Sequence, residues 1–165
     1  MAIRTGKQFL EGLKDGREIW LEGERVKDVT THPALRNGIH TLARLYDLQH
    51  DSELRDEMTY VSPTTGERVG LSFITPRSME DLEKRNRMMT RWARLSCGMM
   101  GRSPDFMNVN IMAMAAAGDY FAQNRPEFKN NIQNYYEYIR ENDLVLTHTL
   151  LNPQRNRTPG RSEEH

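Results

Sequence analysis

At 165 residues the chain has room for one domain with its own core. Lysine and arginine together number 23, as do aspartate and glutamate, so the net charge is zero and no polyanion-binding surface is expected. Cys97 is the single cysteine, which excludes an intrachain disulfide and a CxxC metal knuckle, and no apolar run is long enough to span a membrane.

Only 37% of residues are apolar, yet they recur periodically, which argues for a folded chain rather than a disordered one. The first residues run into the charged stretch KQFLEGLKDGRE, with no signal-peptide pattern, so a cytoplasmic location is expected. Thr5 suits the cap of a short helix with Phe9, Leu10 and Leu13 on one face and Gly16 as its stop. EIWLEGERVKDV then reads as strand, Glu-Gly turn and strand, with Trp20 as the large anchor. A second helix is expected from near Pro33, its stripe made by Leu35, Ile39, Leu42, Ala43 and Tyr46.

MTYVSPTTGERVGLSF predicts a hairpin. Thr59 and Val61 alternate on one strand, Val69, Leu71 and Phe73 on the other, around a turn within residues 62–66. Ser78 and Asp81 have capping-box spacing at the start of a helix that faces inward through Leu82, Met89 and Ala93 and stops at Gly98. Ser103 is the expected cap of the next helix, with Pro104 in its first turn and Asp105 at the positive end of its dipole. Met107, Ile111, Met114 and Ala115 form its predicted buried stripe. A further helix over about residues 126–140 carries Phe128, Ile132, Tyr135, Tyr136 and Ile139. LVLTHTLL is short, β-branched and apolar and fits an extended segment, whereas the tail NPQRNRTPGRSEEH has no period and reads as linker or loop. The expected class is mainly α with small β-hairpins.

Two residues stand out chemically. Arg102 lies between Gly101 and Ser103 in MMGRSPDFMN, where backbone geometry would hold a planar donor suited to an anionic or phenolic oxygen. A solvated arginine in a helix–helix connection accounts for the same residues. His148 lies in the apolar run between Thr147 and Thr149 and has the chemistry to take a proton from a bound hydroxyl. A strand histidine satisfied by backbone is the plainer reading. The remaining histidines, His32, His40, His50 and His165, show no metal-ligand spacing, and no GxGxxG fingerprint follows a strand. Asp105 reads as a helix-start residue rather than an acid catalyst, and the methionines read as core or contact filler.

Three segments, RTGKQFLEGLKDGREIWLEGERVKDVTTHPA, MMGRSPDFMN and LTHTLLNPQRNR, together resemble the N-terminal part of the flavin-dependent 4-hydroxyphenylacetate 3-monooxygenase family, oxygenase component. The resemblance implies an acyl-CoA dehydrogenase-like N-terminal helical domain over residues 1–143, with residues 144–165 forming the first strand and loop into a middle β-barrel domain. Family members are about three times longer, so this length is expected to be a fragment or a truncated product, inactive by itself. The implied activity is ortho-hydroxylation of a phenol with dioxygen and reduced FAD, delivered by a separate NADH-dependent flavin reductase to a homo-tetramer.

Carried onto this chain, the resemblance gives Arg102 and His148 catalytic and substrate-binding roles and places Phe106 against the substrate. It sets Thr149, Gln154 and Arg157 along the flavin. Phe106 departs from the family pattern, in which a tyrosine follows the Pro-Asp pair, and so removes one hydroxyl donor. That departure favours a different phenol, such as a tyrosine derivative tethered to a carrier protein. Two alternatives stand beside this reading. One is a 4-hydroxybutyryl-CoA dehydratase-like flavoprotein, whose iron–sulfur cluster takes cysteines that Cys97 alone does not supply. The other is a truncated, non-catalytic helical module.

Overall fold

The computed structural model describes residues 2–148. Its first helix, α1 (Gly6–Gly12), begins at Thr5 with a reciprocal cap. The Thr5 hydroxyl accepts the Gln8 N–H at 3.2 Å and the Gln8 side chain accepts the Thr5 N–H at 2.8 Å. Strands β1 (Ile19–Leu21) and β2 (Glu24–Val26) pair antiparallel, Ile19 opposite Val26. Glu22 and Gly23 both adopt positive φ in the two-residue turn, as a tight hairpin requires. Trp20 does not anchor this ribbon: its side chain is 62% exposed, and Val26 is the ribbon residue that is buried.

Helix α2 (Arg36–Asp47) crosses α1. It starts one turn later than Pro33 suggested and buries Ala43, Leu45 and Tyr46. Phe9 stacks on Tyr46 with ring centroids 5.0 Å apart. A short helix, α3 (Arg55–Met58), leads into β3 (Thr59–Val61), which pairs antiparallel with β4 (Arg68–Gly70). The hairpin is where the sequence placed it, but its sides differ: Thr59 is buried and Val61 exposed. Leu71 and Phe73 are buried in a 3-10 turn after β4 instead of extending the strand.

Helix α4 (Met79–Leu95) is capped by the Ser78 hydroxyl, which accepts the Asp81 N–H at 3.1 Å. The cap is one-sided, because the Asp81 carboxylate takes the N–H of Arg77 rather than that of Ser78. Arg85, Met88 and Trp92 make the inward stripe, one step round from the expected one, and Leu82 is exposed. The helix ends where Cys97 and Gly98 both take positive φ. Helix α5 (Asp105–Ala116) buries Asp105, Asn108, Ile111 and Met112, while Met114 is partly exposed. A short α6 (Gly118–Ala122), which periodicity had not separated from its neighbours, precedes α7 (Glu127–Glu141). Helix α7 buries Tyr136 and Ile139 against Phe73, Ile111 and Met112.

A second apolar cluster, of Leu45, Met58, Leu71, Met88 and Trp92, joins α2, α3, α4 and the 3-10 turn. Side chains buried this fully contribute about 1.5–3 kcal/mol each. The architecture is mainly α-helical with two small antiparallel hairpins among the described residues, the class expected from the sequence. None of these helices is long and apolar enough to cross a membrane.

Two buried polar networks tie distant parts together. Asp143, at the exit of α7, accepts the Arg4 N–H at 3.0 Å and the Gln49 amide at 2.9 Å, and its carbonyl accepts Arg4 Nε at 2.8 Å. These bonds fix where the chain leaves α7 for residues 144–148, which have no regular secondary structure. The second network surrounds Asp105.

Candidate functional site

The connection from α4 to α5 sets the site. A 3-10 turn (Met100–Arg102) is closed by the Ser103 N–H donating to the Met100 carbonyl at 3.0 Å. The Ser103 hydroxyl donates to that same carbonyl at 2.7 Å and accepts no helix N–H, so it braces the turn rather than capping α5. Arg102 projects from this brace and is exposed. Among the described residues no carboxylate lies within ion-pair distance of it.

Phe106 is in the first turn of α5, four residues beyond Arg102, and is 46% exposed. The His148 ring lies on it, with centroids 6.3 Å apart and planes 24° from parallel. A residue from after α7 is thereby brought to the start of α5, beside the turn that carries Arg102. Exposed Met99 adds a further apolar side chain to the connection. Thr149, Gln154 and Arg157 lie outside the described residues.

Arg102 also lines a cavity of about 480 Å³ between α2 and the connection. Leu35, Ile39, Leu42, Leu45 and Met99 form much of its wall, and Arg102 is its charged lining residue. Phe106 and His148 do not line it. A guanidinium set among apolar side chains, with an imidazole against an aromatic ring nearby, suits a planar molecule bearing a negative or hydroxyl oxygen. That donor set fits a phenol or the ring system of a flavin. Among the described residues, no group of three or more His, Cys, Asp and Glu side chains gathers as a metal ion would need.

Sequence reasoning missed what lies beneath Arg102 and Phe106. Arg85, 7% exposed, reaches from α4 to donate Nη2 to Asp105 Oδ1 at 2.6 Å and Nη1 to the Ser72 carbonyl at 2.8 Å. The Ser72 hydroxyl donates to Asp105 Oδ1 at 2.8 Å and accepts Asn108 Nδ2 at 3.0 Å. Asp105 is the helix-start residue expected from the sequence and is also a buried ion-pair partner. One signal existed: Arg85 occupies the helical stripe of Met88 and Trp92, and a charge on an apolar stripe implies a partner.

Residues 5–165 match the family described as 4-hydroxyphenylacetate 3-hydroxylase N terminal. The chain is 47% identical to the oxygenase component of 4-hydroxyphenylacetate 3-monooxygenase from Geobacillus sp. (strain PA-9), over 100% of this chain and 33% of that protein. It is 48% identical to the protein of the same name from Thermus thermophilus, over 93% of this chain and 31% of that one. Among solved structures, it is similar to the oxygenase component of a 4-hydroxyphenylacetate 3-monooxygenase complexed with FAD and 4-hydroxyphenylacetate. That match has a TM-score of 0.82 at 48% identity and covers 93% of this chain and 31% of the other. The chain thus spans about a third of the length of the curated relatives it matches.

Proposed function

This chain belongs to the 4-hydroxyphenylacetate 3-hydroxylase N-terminal family, and on that premise we propose that it supplies one wall of the phenol site in an FAD-dependent, two-component aromatic monooxygenase. The observation that carries the reading is the placement of His148 on Phe106, at the start of the helix that follows Arg102. Two residues singled out for one chemistry, 42 positions apart in the chain (106 and 148), are in ring contact, and Arg102 lies in the turn just before the helix that carries Phe106. In the fuller reading, residues 1–143 form the helical domain and residues 144–165 lead toward a barrel. A separate NADH-dependent reductase delivers reduced FAD, and the assembled enzyme is a homo-tetramer.

Reduced FAD, when bound, supplies the electrons with which dioxygen is activated. Thr149, Gln154 and Arg157 are the residues proposed to run along it. Arg102 hydrogen-bonds the phenol oxygen and stabilises the negative charge that grows there as the ring is made nucleophilic. His148, as neutral imidazole, accepts the phenolic proton. Phe106 holds the His148 ring and presents an apolar face that excludes water from the oxygen-reactive region. The substrate is a phenol hydroxylated beside its OH. With phenylalanine rather than tyrosine at position 106, one hydroxyl donor is absent, which favours a phenol held elsewhere by its side chain, such as one tethered to a carrier protein.

The test is product formation by the oxygenase carrying this chain, given reduced FAD, isotope-labelled dioxygen and free or carrier-bound phenols. One labelled oxygen in a catechol product supports the reading. Flavin oxidation with no labelled catechol from any phenol contradicts it.

A further inference from the structure

Asp105 is the carboxylate nearest to Arg102 in the sequence, three positions on, and a local salt bridge between the two is the simplest pairing open to Arg102. It does not form here. The Asp105 carboxylate is turned inward, 5% exposed, with Oδ1 taken at 2.6 Å by Arg85 and at 2.8 Å by the Ser72 hydroxyl. Arg102, exposed, has no carboxylate within ion-pair distance among the described residues.

Arg85 is well placed to enforce this. Its guanidinium is a two-point fork: one nitrogen is on Asp105 of α5 and the other on the backbone carbonyl of Ser72, in the 3-10 turn Leu71–Phe73. Asn108, one turn further along α5, bonds the same serine hydroxyl at 3.0 Å and holds the helix face in register. Left without Arg85, the Asp105 carboxylate would be buried without a countercharge, a state relieved by taking up a proton or by turning outward, where Arg102 is the nearest cation in the sequence.

Resting on the reading above, we infer that Arg85 is a positioning residue for the phenol site, sequestering the Asp105 carboxylate inside the α4–α5 interface so that the Arg102 guanidinium stays free for the phenol oxygen. The pair acts through charge placement as well as through its bonds, which separates it from a simple structural strap.

The test measures 4-nitrophenolate binding to the oxygenase carrying this chain, by the visible absorbance of the bound phenolate. Arg85→Met is expected to weaken binding on the order of 10-fold to 100-fold, as expected for loss of a free charged donor. Asp105→Asn breaks the same ion pair yet leaves no negative charge to capture Arg102, so it is expected to bind close to wild type. The double variant Arg85→Met with Asp105→Leu is expected to recover binding. Arg85→Gln, which keeps a hydrogen bond but no charge, carries the same comparison should Arg85→Met not fold. Equal losses in the Arg85 and Asp105 single variants, or no loss in the Arg85 variants, overturn the inference. Arg102→Ala separates the two levels. If it weakens binding while the Arg85 variants do not, only the role of Arg85 falls; if it binds as wild type, the reading of the site falls as well.

Discussion

The His148 ring lies against the Phe106 ring at a centroid distance of 6.3 Å, joining the segment after α7 to the first turn of α5. This contact brings together residues 42 positions apart in the chain, and both partners remain exposed.

Phe106→Ala removes the surface on which His148 rests. The expected outcome is a kcat/KM for phenol hydroxylation lowered by about 10-fold, since an aromatic pair contributes roughly 0.5–1.5 kcal/mol beyond its area. Phe106→Tyr keeps the ring and adds a hydroxyl donor. It is expected to raise preference for 4-hydroxyphenylacetate over bulkier phenols, read by competing the two substrates in one assay. Unchanged preference would remove position 106 from the account of specificity.

Asp143 governs a different property. Burial pushes its carboxyl above the usual carboxylate range, against the lowering effect of the Arg4 N–H, the Gln49 amide and the Arg4 charge. A group whose folded-state value is raised favours folding at low pH, and that contribution is lost as pH rises through the folded-state value. Both donors converge on Oδ2, so an amide at this position can keep both bonds, and asparagine tolerates the positive φ found there. Asp143→Asn is therefore expected to change stability at neutral pH by about 1 kcal/mol or less. Relative to the variant, the wild type should lose stability as pH rises above the carboxylate range. Thermal melts across that range check the sign; a wild type that gains on the variant with rising pH would reverse it.

At Gly6 the backbone of α1 packs directly on α2. A Cβ there would lie 2.5 Å from the Ala43 carbonyl oxygen and 2.7 Å from Asp47 Oδ2, and the first of these is backbone that has little room to yield. Its N–H also donates to Asp47 Oδ1 at 2.7 Å. Gly6→Ala is expected to destabilise by about 1–3 kcal/mol despite the better helix propensity of alanine. Urea unfolding measures it, and a stabilised variant would show that the two helices separate without cost.

Much of this fold is local chemistry and was legible for that reason. The Thr5 cap, the Glu22–Gly23 turn and the Cys97–Gly98 stop are each decided within a few residues. Where the sequence misled, the deciding partner was distant. Trp20 has the size of an anchor, but the short β1–β2 ribbon leaves it mostly in solvent. The α4 stripe lies one step round from the expected one because Arg85 belongs to it, held by partners, Ser72 and Asp105, that lie 13 and 20 positions away. The same distance hid the network under the site. Arg102 and Phe106 could be singled out from one segment, and His148 from another, but nothing in their spacing shows that the last two touch.

The most direct measurement is catechol formation by Arg102→Ala in the oxygenase carrying this chain, with reduced FAD supplied and flavin binding followed in the same samples. Flavin is expected still to bind while kcat/KM falls on the order of 100-fold, as for loss of one pre-oriented charged donor. Wild-type turnover in that variant would contradict it, leaving Arg102 as a solvated side chain in a helix–helix connection.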